Sequence, residues 1–403
     1  MPKYDSYRPE DWGDEEMMKK YPIQRDDAKL YFTNCILPRL NRAYKLFIGY
    51  TGDRAKEIKS WQCVSEDTEI LSADGWKKIG GINKGDKVFS YDHPTGKIFV
   101  DTAREVFAFD ANDEMISIKN AATDQLVTSN HRVLLKKSRK LTNQNNSVRV
   151  RTWDKDYRYV EAGKIPVGSV DYRLPTSGLY DGKVSIGGDW AELIGWFITD
   201  GCMPKKGGAY ITQSKPETLC RLRSLLVSMN VEFREWSRKK ELEHYHDEHR
   251  FYFPSKGEVM KKMNEWIPGR KPNIKLWHIS LSEKRRLIEG ICYGDGSKRP
   301  DGKYHMISKP KKDFLEWLQV LLHLTGLRGL VTEEYINVAH KDTIDIYGKR
   351  HISSKKYNGK VWSISTDRTN YIAKRNGKIF ITGNSNIFVP YTQGVVETLM
   401  PRI

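Results

Sequence analysis

A few residues have types and spacings that can do chemistry. Near the C-terminal end of the 403-residue chain, "NGKIFITGNSNIFVP" carries the step Asn384-Ser385. In a turn such a step serves the backbone, because Asn tolerates left-handed φ and Ser caps the next element. An Asn carboxamide can also attack its own carbonyl carbon and sever the chain. Upstream, Cys63 in "KSWQCVSEDTEI" stands where helix-like texture gives way to strand-like texture. A lone Cys is most often buried and inert, so this one is either core filler or a reactive thiol at a boundary. Between the two, "LVTSNHRVLL" places Thr128 and His131 in a T-x-x-H turn between apolar runs. That turn is suited to hydrogen-bonding a peptide unit. An imidazole with an ordinary pKa of about 6.5 can protonate a leaving amide nitrogen at neutral pH.

The other chemical residues are two aspartates in an internal repeat. One copy reads "LIGWFITDG" followed by "AYITQSKPETLCRLRSLLVSMNV", the other "IEGICYGDG" followed by "YHMISKPKKDFLEWLQVLLHLTGL". Asp200 and Asp295 are 95 positions apart and the two Ser-Lys-Pro triplets 94 apart. Each copy predicts an apolar helix ending in Asp-Gly, a strand region and an amphipathic helix, so the copies should pair about a pseudo-twofold axis. Gly195 and Gly290 lie inside the two apolar helices. A helical Gly costs about 1 kcal/mol relative to Ala, which points to close helix contact. Side-by-side packing would bring Asp200 and Asp295 together at helix ends where the dipole is already negative. Mg2+ would relieve that charge and suits hard oxygen ligands, giving metal-assisted phosphodiester hydrolysis.

The elements that position these groups emerge from texture and charge. Residues 1 to 62 predict helix, 63 to 175 a β-rich module, the stretch from Trp190 mixed α/β, and 359 to 384 strands again. The net charge of +17 sits mostly in residues 63 to 384, with 55 basic against 40 acidic side chains, which favours a polyanionic partner. Five cysteines are scattered without CxxC spacing, so neither a disulfide framework nor a zinc site is implied. No apolar run approaches the roughly 18 residues of a membrane span, and the acidic N-terminus lacks a signal-peptide core. No membrane association and a cytoplasmic location are expected.

The duplicated stretches Leu193 to Gly201 and Ile288 to Gly296 resemble the signature helices of LAGLIDADG homing endonucleases, over about 186 to 345. The resemblance implies a monomeric pseudo-dimer that lays its sheets on double-stranded DNA and makes a staggered, Mg2+-dependent cut. Asp200 and Asp295 would be the metal ligands. By the same resemblance "GRKPNIKLWHISLSEKRRLIEG" makes Lys271 the basic active-site residue, with Lys275 and Lys205 as competitors. "CVSEDTEI", "VTSNHRVLL" and "NGKIFITGNS" resemble the first, T-x-x-H and terminal blocks of inteins, self-splicing elements with a Hint-type β fold. The implied architecture is mixed. An all-β Hint splicing domain (63–175 and 355–384) is interrupted by an α/β pseudo-dimeric LAGLIDADG endonuclease domain (186–345), with a helical N-terminal host segment (1–62) and a C-terminal one (385–403).

By that resemblance Cys63, Thr128, His131, Asn384 and Ser385 would splice the chain without a cofactor, excising 63–384 and joining Gln62 to Ser385. The DNA partner would be the host gene lacking the element. Inteins commonly place His before the terminal Asn, where this chain has Gly383; Ser363 and Thr369 stand where Asp and His are often found, with Asp367 the nearest acid. The flanks loosely resemble the N-terminal region of tailed-phage portal proteins. Two other readings are a non-splicing DNA-binding or phage structural protein with an inactive Hint scaffold, and a Hedgehog-type Hint domain. The residues beyond Asn384-Ser385 argue against the last.

Overall fold

Strand texture on both sides of the chain's middle has one physical consequence: the two stretches pair with each other. The structure, a computed structural model, describes residues 62–142, 149–168, 170–204, 207–239, 247–308 and 311–384. Residues 1–61 of the predicted helical segment 1 to 62, the segment from Ser385 onward and Lys205 lie outside the described residues, and with them the portal-like flanks.

Val64–Ser65, Ile352–Ser365, Glu105–Lys119 and Asp124–Val127 close into a small barrel. Its longest pairing runs from Ile352 opposite Ile118 to Ser365 opposite Glu105. Beside it lies a six-stranded sheet in the order Lys378–Gly383, Asn370–Arg375, Glu69–Ser72, Lys87–Asp92, Lys97–Thr102, with Gly75–Lys78 on Glu69–Ser72. Asn376 and Gly377, both with positive φ, make the two-residue turn of the Asn370–Arg375/Lys378–Gly383 hairpin, as an Asn-Gly step favours. A third sheet carries Arg158–Glu161, Arg132–Thr142, Asp171–Pro175 and Thr343–Tyr347 in that order. The stretches that the sequence reading divided at 345 and 355 therefore both pair back onto strands before residue 176.

Two four-stranded sheets hold the repeat. Helix α1 (Gly188–Thr199), strands Gly201–Cys202 and Ala209–Gln213, helix α2 (Pro216–Ser228) and strands Arg234–Arg238 and Glu248–Phe253 form the first unit. Helix α3 (Glu258–Trp266) leads on to the second. There, helix α4 (Leu281–Asp295), strands Gly296–Lys298 and Tyr304–Ser308, helix α5 (Lys312–His323) and strands Arg328–Val331 and Tyr335–Ala339 repeat the order. Each sheet keeps the same strand sequence, with its last two strands exchanged.

The six-stranded sheet is buried on both faces. Ile70, Val88, Tyr371, Ala373 and Phe380 enter one core with Val64 and Val127. Their neighbours Leu71, Phe89, Ile372, Ile379 and Ile381 enter another with Trp317, Leu318 and Leu321 of α5. Alternation along a strand sends successive side chains to opposite faces, so near-continuous apolar runs are required here. Polar ties reinforce the junction. Lys374 Nζ meets Glu69 at 3.1 Å and Glu316 of α5 at 3.4 Å, and Gln319 Nε2 donates to the Gly377 carbonyl at 2.9 Å. Among the described residues no helix is long and apolar enough to cross a membrane.

Candidate functional site

Helices α1 and α4 lie against each other with almost no side chain between them. A Cβ on Gly195 would stand 2.5 Å from the Leu287 carbonyl oxygen and 2.7 Å from the Ile291 nitrogen. On Gly290 it would meet the Glu192 carbonyl and lie 3.1 Å from the Gly195 Cα. Both glycines are there for backbone contact. At the N-terminal ends one carboxylate serves both helices. Glu283 completes a capping box with Ser280 on α4, and its Oε1 accepts from Ser185 Oγ, Ile186 N and Gly187 N at the entrance to α1.

At the C-terminal ends Asp200 caps α1 and Asp295 is the last residue of α4. Asp200 Oδ2 lies 2.7 Å from where a Cβ on Gly294 would stand, one residue before Asp295. Both aspartates are half-buried. Gln213 Nε2, on the adjacent strand, donates to the same Asp200 oxygen. Arg270 fills the dipole end of α1, donating to the carbonyls of Phe197, Ile198 and Thr199 at 3.3, 3.0 and 2.8 Å. This lets an acidic residue sit at a helix C-terminus.

The basic residues fall differently from the sequence reading. Lys271 and Lys275 are exposed, and the residue of that stretch that touches α1 is Arg270. A cleft of about 220 Å³ at Asp200 is lined by Gln213, Ser214, Lys215, Glu248 and Gly294. Lys215 also lines the neighbouring cleft with Gly296, Ser297 and Lys298, just past Asp295. Lys271 lines neither, whereas Lys215 lines both. It belongs to the Ser-Lys-Pro repeat, which is the signal that could have marked it. Among the described residues no group of three or more His, Cys, Asp or Glu is arranged to hold a metal ion. The donor set at α1 and α4 is two carboxylates, which fits a divalent cation that keeps water and takes phosphate oxygens as further ligands.

The second constellation is fully enclosed. Cys63 has no exposed surface, and its backbone N donates to Thr128 Oγ1 at 3.0 Å while Thr128 N donates to the Cys63 carbonyl at 3.0 Å. The Thr128 side chain thus grips the nitrogen of the Gln62–Cys63 peptide bond. His131 N closes the turn on the Thr128 carbonyl, also at 3.0 Å. The His131 ring is wholly buried, with Nε2 2.5 Å from Thr382 Oγ1. Burial pushes its pKa down to about 4, against a smaller raising effect of the Gln62 backbone. The ring is therefore neutral at pH 7, with no appreciable charged fraction. Burial pushes the Cys63 thiol up, so it too is held protonated. The buried Tyr371 hydroxyl, with no hydrogen-bond partner among the described residues, is close enough to Cys63 for a charge there to raise its pKa.

Thr382 leads two residues on to Asn384, which is 1% exposed. Asn384 N donates to the Thr369 carbonyl at 3.0 Å, and its Nδ2 reaches both the carbonyl and Oγ1 of Thr366 at 3.4 Å. Asp367, the acid nearest in sequence, is instead held by the Arg104 guanidinium at 2.7 and 2.9 Å, which keeps its carboxyl below the usual range. Ser363 is buried and pairs with Phe107, while the left-handed Thr369 (φ 57°) meets Asn384 through its carbonyl. Thr366, Thr382, Gln213 and Arg270 were not visible in the sequence as functional residues, because each acts through a partner distant in the chain.

No family model matches the chain. An ATP-dependent Clp protease proteolytic subunit of Chlamydomonas moewusii is 30% identical over 112 residues, 28% of this chain and 10% of that protein. The chain thus matches only a tenth of the length of this curated relative. Among solved structures, mesophilic variants of the homing endonuclease I-DmoI give 18% identity and a TM-score of 0.27 over 38% of this chain and 88% of theirs. I-DmoI in complex with DNA and Mn gives 17% and 0.28 over 38% and 89%. The N-terminal LAGLIDADG domain of DUF199/WhiA gives 13% and 0.28 over 39% and 78%.

Proposed function

We propose that residues 63–384 form a self-excising splicing element that carries a DNA endonuclease within it. The splicing part comprises 63–175 and 355–384, the nuclease 186–345. One observation carries the splicing reading: Thr128 Oγ1 accepts from the nitrogen of the Gln62–Cys63 peptide, and His131, three residues on, reaches with Nε2 the strand that leads into Asn384. Cys63 Sγ adds to the Gln62 carbonyl carbon, the bond to Cys63 N breaks, and the thiol proton passes to that nitrogen. The neutral His131 ring can carry the proton, and Thr128 holds the leaving nitrogen in place. The Ser385 hydroxyl then displaces the Cys63 thiol from the thioester. Asn384 cyclises to free the element, and the ester shifts to an amide between Gln62 and Ser385. Every step exchanges one acyl bond for another, so no cofactor is required.

The nuclease reading rests on Asp200 and Asp295 at adjoining helix ends, with Lys215 in the cleft and the net positive charge of the chain around them. A bound Mg2+ would supply Lewis-acid activation of a phosphodiester and of water. The chain's part is to hold the two carboxylates, Asp200 through Gln213, and to bind the double-stranded DNA backbone.

Intact-mass analysis of the expressed chain tests the splicing reading. The expected products are the excised 63–384 and the joined flanks, and Cys63→Ala removes both. A wild-type chain that stays at full length sinks it. For the nuclease, Asp200→Asn should abolish metal-dependent cutting of the uninterrupted host gene while leaving splicing intact; cutting that persists refutes the assignment.

A further inference from the structure

The residue before Asn384 is Gly383, where an assisting histidine is commonly found in the elements this chain resembles. The backbone here excludes one. Gly383 pairs with Asn370 at the edge of the hairpin, and a Cβ on it would overlap the Arg132 carbonyl oxygen and stand 2.9 Å from Arg132 Cβ. No side chain fits without moving a strand that carries Arg132 one residue after His131.

Asn384 is faced instead by the turn 366–369. Thr369 N donates to the Thr366 carbonyl at 3.1 Å, and Thr369 takes a left-handed φ of 57° that a β-branched residue adopts only under constraint. Thr366 is 4% exposed, and its Oγ1 donates to the Asn370 carbonyl at 2.8 Å, so the hydroxyl lone pairs are turned toward Asn384. Asn370 is itself locked, its side chain accepting from Tyr91 N and donating to the Tyr91 carbonyl, both at 2.7 Å. Among the described residues the buried Asn384 Oδ1 has no hydrogen-bond partner. The carboxamide is held there at its nitrogen end, by the two acceptors of Thr366.

We propose that Thr366 is the residue that orients the Asn384 carboxamide for chain cleavage, in a site whose geometry bars a side chain at Gly383. This rests on the splicing reading. In the step it serves, Nδ2 bonds to the Asn384 carbonyl carbon, the bond from that carbon to the nitrogen of residue 385 breaks, and one Nδ2 proton passes to the departing nitrogen. The products are a five-membered imide and a free amine, with nothing oxidised or reduced. Acceptors on Nδ2–H draw hydrogen toward themselves and aim the nitrogen; such contacts shorten as charge develops.

The test follows both junctions of the full chain by intact mass, with dithiothreitol releasing residues 1–62 wherever a thioester at Cys63 has formed. Thr366→Val should slow cleavage after Asn384 at least about tenfold while dithiothreitol release is unchanged, and Thr366→Ser should restore the rate to within about threefold. Gly383→His should slow the same cleavage rather than speed it. The proposal is overturned by Thr366→Val cleaving at the wild-type rate, by Thr366→Val losing the thioester as well, by Thr366→Ser failing to rescue, or by Gly383→His accelerating cleavage. A wild-type chain that forms no thioester and cleaves at neither junction defeats the splicing reading itself, which is a separate result.

Discussion

The two ends of the segment 63–384, which we propose is excised, are built on opposite principles. At Cys63 the peptide bond is surrounded by side chains with acid–base capacity: Thr128 on its nitrogen, His131 three residues on, and the Tyr371 hydroxyl close by. At Asn384 no histidine or free acid is in place among the described residues, the nearest carboxylate in sequence is spent on Arg104, and orientation comes from backbone and one threonine. The upstream end is thus equipped to move protons and the downstream end to hold a shape. Both steps are intramolecular and both expel a nitrogen that must take up a proton, so the two ends differ in how that proton is managed: through His131 upstream, and by the orientation of Nδ2 downstream.

The largest effect that would sharpen this contrast comes from separating the ends. Asn384→Ala should leave dithiothreitol release of residues 1–62 intact while abolishing cleavage after 384, and His131→Ala should lower thioester formation by roughly 10²–10⁴-fold. Equal loss at both junctions in either variant breaks the contrast. The next effect is the titration of His131. In a Cys63→Ala chain its ring protons should titrate with a midpoint of about 4, and a midpoint near the ordinary value would place the ring in water. Stability should shift with the same groups. His131 and His323 are both depressed to about 4, so the unfolded chain takes up protons first as pH falls through the ordinary histidine range. The melting temperature should fall between neutral pH and about 4, and this histidine contribution should level off below.

The smallest effect concerns Asp367. Its partner Arg104 is fully exposed, and exposed pairs contribute little. Arg104→Ala should change cleavage after Asn384 by less than about threefold. A loss as large as that of Thr366→Val would show that the acid acts on Asn384 after all.

Much of the fold was legible in order and period. The 95-residue offset of the two Asp-Gly helices announced a paired unit, and the interior glycines announced backbone contact, which the clash of a Cβ at Gly195 or Gly290 explains. The lysine that lines both clefts at the ends of α1 and α4 was not singled out by the sequence. Lys271 was chosen by its place in a motif-like stretch, yet Arg270 is the residue that caps α1 and Lys215 the one that enters the cleft.

By itself, then, the sequence determined which chemical groups exist, in what order, and which segments must pair, because period and glycine placement act over a few residues. The tertiary structure alone decided which groups meet. Glu283 caps two helices, Thr382 reaches His131 across 251 residues, and the Arg132 carbonyl closes the space beside Gly383. Each of those roles depends on a partner from another strand or helix. A side chain's type states what it can donate or accept, but its burial and its partner set whether it is charged, aimed or shut out.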